Sequence, residues 1–262
     1  MSTVLPRGML TISVDLDPGS TNSRSADHAL LESLLARLLE LLGQHDLPAT
    51  WALADPAVSA ARKRIEQAGS HELAILGDAS WVGREAGRAR FAHELGRRVS
   101  RARGDGIELS TLALRTVLPI DHCDLVVKEG LVAARHGSGK PISDAPRRLH
   151  PQTLRFGLWG FPISIALPGS SRLLPGGGGT RAARFVIDEA ISERGLVHLA
   201  VDGPALALRG NSAVRVLQRI VEHAQRRRRH GLLEVVTLGA MAEQLSQLHC
   251  GQPSRSILRP AA

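Results

Sequence analysis

Apolar positions along this chain switch repeatedly between two spacings. Continuous or alternating apolar runs predict strands at Met9–Asp15, Pro48–Ala54, His71–Leu76, Ile107–Arg115, Leu131–Ala134, Leu196–Val201 and Leu233–Thr237. Apolar residues three and four apart predict helices at Asp27–Leu42, Pro56–Ala68, Arg84–Arg103, Asp121–Lys128, Thr180–Arg194, Ala213–Arg229 and Met241–Leu248. The first helix has a broad apolar face of leucines at Leu30, Leu31, Leu34, Leu35, Leu38, Leu39, Leu41 and Leu42. The second opens with proline in its first turn. Between residues 135 and 175 the pattern loosens: Phe161–Leu167 reads as a strand or an extended arm. Gly176–Gly179 reads as a flexible link into the next helix, with a phosphate cradle at that helix start as the alternative.

Strand and helix alternate about seven times through connections too short for separate domains, the signature of a parallel sheet covered by helices. A closed or nearly closed barrel is the natural solution, and a doubly wound open sheet is the runner-up. No Gly-x-Gly-x-x-Gly follows the first strand to support a dinucleotide site. We expect one domain over residues 1–262, with 249–262 a loose tail.

Composition narrows the function classes. Apolar residues make up 43% and charged residues 22% of 262, within the globular range. Aromatics are only 3%, with no Tyr, which argues against stacked aromatic platforms. Two cysteines, Cys123 and Cys250, supply neither a disulfide framework nor a four-cysteine zinc site. The N-terminus lacks the apolar segment of a secretory signal and no run is long enough to span a bilayer, so the expectation is a cytoplasmic protein with no membrane partner. The formal charge of +8 is carried almost wholly by arginine. Without a compact basic and aromatic motif, solvated helix faces account for it better than nucleic acid does.

In parallel β/α folds, functional groups collect where strands end at the carboxyl face. The first strand ends in Asp15-Leu16-Asp17, whose carboxylates sit two apart and can converge on one spot. The third runs out into Asp78, the fourth ends in Arg115 and the fifth in Arg135-His136. The sixth contains His198 and reaches Asp202. Together they predict a mouth of mixed charge on one face. Other signals fail on inspection. His136–Pro141 has proline where a phosphate loop needs Ser or Thr, and no Gly-x-Ser-x-Gly elbow occurs. Arg226–Arg229 ends a long helix, where cations meet the macrodipole favourably.

Thr11–Asp17, Pro48–Leu53 and Ala68–Ala74, followed by Leu196–Val201 and Leu233–Leu238 with Met241, together resemble the ordered landmarks of the polysaccharide deacetylases, the NodB-homology group. The resemblance spans roughly residues 9–248. It implies a distorted (β/α) barrel of about seven parallel strands. It also implies metal-assisted hydrolysis of carbon–nitrogen bonds in N-acetylated sugars, with an ion held by one Asp and two His. Carried over, Asp15 matches the general base, Asp17 the metal carboxylate, and Arg115 approximates the arginine after the fourth strand.

The histidines depart from the pattern: Leu76 and Ser80 stand near the two imidazole positions. Where the family's acid histidine belongs there is Asp202, with His198 four residues earlier in the strand. Asp15, Asp17 and Asp78 would then offer only an oxygen site for a harder ion. The expectation is a barrel of carbohydrate metabolism that needs no cofactor and has lost deacetylation, a pseudoenzyme binding an N-acetylated glycan or a protein partner. His136, His198 and Asp202 are its candidate substrate contacts. The alternative is an active hydrolase with altered ligation of a divalent metal.

Overall fold

The computed structural model describes residues 5–16, 25–82, 87–137, 150–168 and 178–250. Among them are ten strands: β1 (Gly8–Asp15), β2 (Thr50–Leu53), β3 (Glu72–Gly77), β4 (Thr111–Leu114), β5 (Ala133–His136), β6 (Gln152–Thr153), β7 (Trp159–Pro162), β8 (Ile165–Leu167), β9 (Leu196–Asp202) and β10 (Leu233–Val236). The helices are α1 (Ser25–Gln44), α2 (Ala61–Gln67), α3 (Ala79–Val82), α4 (Gly87–Gly104), α5 (Cys123–Lys128), α6 (Gly178–Ser192), α7 (Gly203–Arg209), α8 (Asn211–Arg229) and α9 (Leu238–Cys250).

The strands form one sheet in the order β6-β7-β5-β4-β3-β2-β1-β9-β8, with β10 also pairing β1. Every pairing is parallel except β6 with β7. The sheet curls into a half-barrel covered by helices, the distorted (β/α) barrel that the resemblance implies. The segment Phe161–Leu167, left open between strand and arm, splits in two. β7 pairs β5, while β8 pairs β9 at the other edge of the sheet. Only Ile163 and Ser164 separate them in the chain. Consecutive Cα atoms lie 3.8 Å apart, so those three steps bring the two regions within about 11 Å. Ser164 fastens the junction to β9: its amide donates to the His198 carbonyl at 3.0 Å and its hydroxyl accepts from the His198 amide at 3.1 Å.

Alternation along β1 sorts the layers. Leu10, Ile12 and Val14 point outward into a core shared with Leu34, Leu35 and Leu38 of α1, Ala183 and Ile187 of α6, and Ile220 and Val221 of α8. A second core sets Ile75, Leu112 and Leu114 against Phe91, Leu95 and Val99 of α4 and Val126 of α5. At the amino end, Leu238, Met241, Ala242 and Leu245 of α9 pack on Met9, Ala133, Trp159, Phe161 and Leu196 and close the barrel. The lumen above carries small residues: Ala52, Ala74 and Ala113, with Leu76.

Several boundaries move. α2 begins at Ala61 rather than Pro56; the preceding residues form turns, and the Ser59 hydroxyl takes the Ala61 amide at 3.3 Å. The fifth strand lies two residues later than predicted, so Arg135 and His136 belong to it. The helix α7 is an addition: Asp202 caps it and Pro204 stands in its first turn. α9 runs to Cys250, into the predicted tail, whose remainder lies outside the described residues. Among the described residues, no helix is long and apolar enough to cross a membrane.

Candidate functional site

Asp15 ends β1 on the face already set by Thr11 and Ser13, so it points into the lumen at the carboxyl end and is 4% exposed. The register of β2, β3, β4 and β5 carries that face across the sheet. Asp15 lies beside Ala52 and Ala52 beside Ala74, while Leu76 lies beside Ala113 and Ala113 beside Arg135. Arg135 is 1% exposed and reaches over these small residues from the far side. It forks onto the carboxylate: Nη1 donates to Oδ1 at 2.5 Å and Nη2 to Oδ2 at 3.1 Å. Arg115, just past β4, adds Nε to Oδ2 at 3.2 Å, with its side chain 37% exposed at the rim. Two glycines let the backbones close in. A Cβ on Gly203 would fall 2.4 Å from the Asp15 carbonyl oxygen, and one on Gly137 2.6 Å from that of Arg115.

A line of polar groups descends from this pair. Arg135 Nη1 also donates to the Ser13 hydroxyl at 3.0 Å. His198 lies between two hydroxyls, Nε2 at 3.0 Å from Ser13 Oγ and Nδ1 at 2.7 Å from Thr11 Oγ1. Burial pushes the imidazole well below its ordinary value, and the positive charge of Arg135 pushes the same way. The ring is therefore neutral, donating from one nitrogen and accepting at the other. Both bonds satisfy polar atoms that would otherwise be buried without partners.

The other sequence candidates scatter. Asp17 lies outside the described residues. Asp78 follows β3, half-buried, and its carboxylate accepts from the Ser80 amide at 2.6 Å. Asp202 stands beside Asp15 in the β1–β9 register, and its carboxylate takes the Ala205 amide at 3.1 Å as the cap of α7. His136 is the next residue after Arg135 on β5, with Nδ1 3.3 Å from the Gly137 carbonyl oxygen. His198 is interior, its ring away from the rim and enclosed by hydroxyls. The structure thus brings Asp15 and Arg115 together. It adds Arg135, which the sequence places among the mouth residues at the end of the fifth strand but does not single out as a site residue. An arginine adjoining the apolar run Leu131–Ala134 was the available signal, because a buried guanidinium needs an acid.

The described residues do not by themselves fit a divalent metal centre; Asp17, the carboxylate the resemblance assigns to the ion, lies outside them. Both oxygens of Asp15 already accept from guanidinium groups, whose charge opposes a cation beside them. Leu76, near one expected imidazole position, is 2% exposed and apolar, and Ser80, near the other, offers only a hydroxyl. Among the described residues, no three His, Cys, Asp or Glu side chains gather to hold an ion.

A curled parallel sheet, closed by a helix at its amino end and ending its first strand in an inward acid, defines a deacetylase-type barrel. A protein assigned as a polysaccharide deacetylase from Mycobacterium smegmatis matches it at a TM-score of 0.71 and 16% identity, over 100% of this chain and 98% of that one. One from Pseudomonas aeruginosa matches at 0.65 and 14%, over 93% and 92%. PuuE allantoinase matches at 0.63 and 15%, over 93% and 92%. No family model matches the chain, and no curated protein matches it. The fold is that of the polysaccharide deacetylases, as the motifs implied.

Proposed function

We propose that this chain is a deacetylase-like protein of carbohydrate metabolism that binds an N-acetylated glycan at the carboxyl end of its barrel without hydrolysing it. One observation carries this reading: the Asp15 carboxylate is engaged by Arg135 through two bonds and by Arg115 through a third. A general base needs a lone pair free to take a proton from water, and a metal ligand needs one free for the ion. Here N–H donors take three of the roughly four acceptor positions of the carboxylate, and the guanidinium charges oppose a cation beside it. Arg115, partly exposed at the rim, can also donate to sugar hydroxyl or acetyl oxygens. The fold neighbours support the substrate class.

The direct test pairs calorimetric binding of N-acetylglucosamine oligomers with an acetate-release assay run with and without added zinc, cobalt or magnesium. We expect saturable binding, weakened in Arg115→Ala, and no acetate above the background of denatured protein. Metal-dependent acetate release that disappears in Asp15→Asn would overturn the proposal. It would establish instead the second reading, a hydrolase of non-peptide carbon–nitrogen bonds with altered ligation. That reading draws on Asp15 and Arg115 standing together where the motif resemblance puts a base and its arginine. A protein partner in place of a glycan would show as no binding of any oligomer.

A further inference from the structure

Away from Asp15, helices α6 and α8 lie side by side on the outer layer, and between them opens a cavity of about 390 Å³ lined by Thr180, Arg181, Arg184 and Arg219. Thr180 is the third residue of α6, a helix of 15 residues, and is 5% exposed. Its hydroxyl is buried and has no hydrogen-bond partner among the described residues. Arg184, one turn further, also has a buried Nε without a partner, while its Nη2 donates to the Arg219 carbonyl at 3.4 Å. Arg181, Arg184 and Arg219 form no ion pair among the described residues. The nearby acid of α6, Asp188, is already taken by His223 Nε2 at 3.0 Å and Arg227 Nε at 2.8 Å.

Buried donors without acceptors are rare because desolvation without a compensating bond costs free energy. Here an orphaned hydroxyl and an orphaned guanidine N–H line one cavity, beside the first turn of a long helix whose amide hydrogens also lack intrahelical acceptors. The guanidinium groups lining it, those of Arg181 and Arg219 exposed and that of Arg184 partly buried, set the sign of a ligand that would fill it. α6 follows β8, so its first turn lies at the carboxyl rim of the sheet, where ligands of parallel β/α folds bind.

We propose that this cavity binds the phosphate group of a small phosphorylated ligand. A phosphate monoester carries close to two negative charges at neutral pH and several strong acceptor oxygens, which match forked guanidinium donors. An opening of this volume falls within the range of small-molecule sites, about 300–1,000 Å³. A polyanion needs instead a track of contacts along its backbone.

Calorimetric titrations with inorganic phosphate and with glucose 1-phosphate test this on the full chain, against Arg219→Ala, Thr180→Val and, as a control for net charge, Arg229→Ala. We expect one saturable site whose affinity falls about tenfold in Arg219→Ala, falls measurably in Thr180→Val and is unchanged in Arg229→Ala. Unchanged melting temperatures show that the variants fold. Tighter binding of glucose 1-phosphate than of inorganic phosphate assigns the site to an ester; equal binding assigns it to free phosphate. Absence of saturable binding by both probes in the folded protein overturns the proposal, as does equal weakening in Arg229→Ala. Duplex DNA held in a salt-sensitive complex that neither phosphate probe displaces overturns it in favour of a polyanion.

Discussion

The two ends of the barrel each hold a lumen-side carboxylate, and they hold it by opposite means. At the amino end, Glu72 opens β3 and accepts from uncharged donors alone among its described partners. These are Thr50 Oγ1 at 2.8 Å, Ser110 Oγ at 2.7 Å, the Thr111 hydroxyl and the Gly239 amide at 3.0 Å. Those bonds tie three strands to α9, which covers that end. At the carboxyl end, Asp15 is held by two cations, one buried and one half in solvent. Neutral donors surrounding a covered carboxylate make a structural joint. Cations around one at an open rim make a charged surface that a polar ligand can meet, and the proposed binding site lies at that end.

Breaking the charged end should have the largest effect. Asp15→Ala leaves Arg135 buried and unpaired, and we expect a loss of about 3–5 kcal/mol in urea unfolding. Adding Arg135→Met should recover most of it, because the cost lies in the stranded charge. A double variant no more stable than the single one would mean that the pair braces the lumen by shape. At the neutral end, Glu72→Ala strands several donors at once but no charge, and we expect a loss of about 1–3 kcal/mol.

Acid should sharpen the comparison next. Burial lowers the imidazole values of His198, His71 and His223 below the ordinary 6.5. Below about pH 6.5 the unfolded chain takes up protons that these rings refuse when folded. Stability is therefore full above that pH and falls as pH drops, by up to about 1.4 kcal/mol per unit for the fully buried His198 ring and by less for His71 and His223, until each ring's own folded value is reached. Urea titrations from pH 7.5 to 5 measure the slope, and His198→Gln should remove one ring's share. The smallest effect belongs to Arg115→Ala: its pair with Asp15 is screened at the rim, and we expect less than about 1 kcal/mol, shrinking further in high salt.

The motif order in the sequence carried the barrel because apolar periodicity and strand-end chemistry follow directly from which faces are covered. Asp15 and Arg115 were legible for the same reason. Arg135 was legible as a residue of the mouth but not as the buried partner of Asp15: with the fifth strand ended at Ala134 its direction is unset, since alternation makes side-chain direction depend on the strand's extent. Asp202 stands at the mouth beside Asp15, and Pro204 two positions later marks it as a helix cap as well. β6 and β8, with two and three residues, are too short to show any period. Their pairing is decided by the curvature of the sheet, which no local window contains.

That curvature has an economical clasp. Because β7 and β8 serve distant positions in the sheet yet adjoin in the chain, Ile163 and Ser164 act as a short tether that keeps the hoop from springing open. Lengthening it with a few glycines would leave every strand intact while freeing the two margins to drift apart. The first casualty should be the reach of Arg135 to its acid, long before any helix is lost.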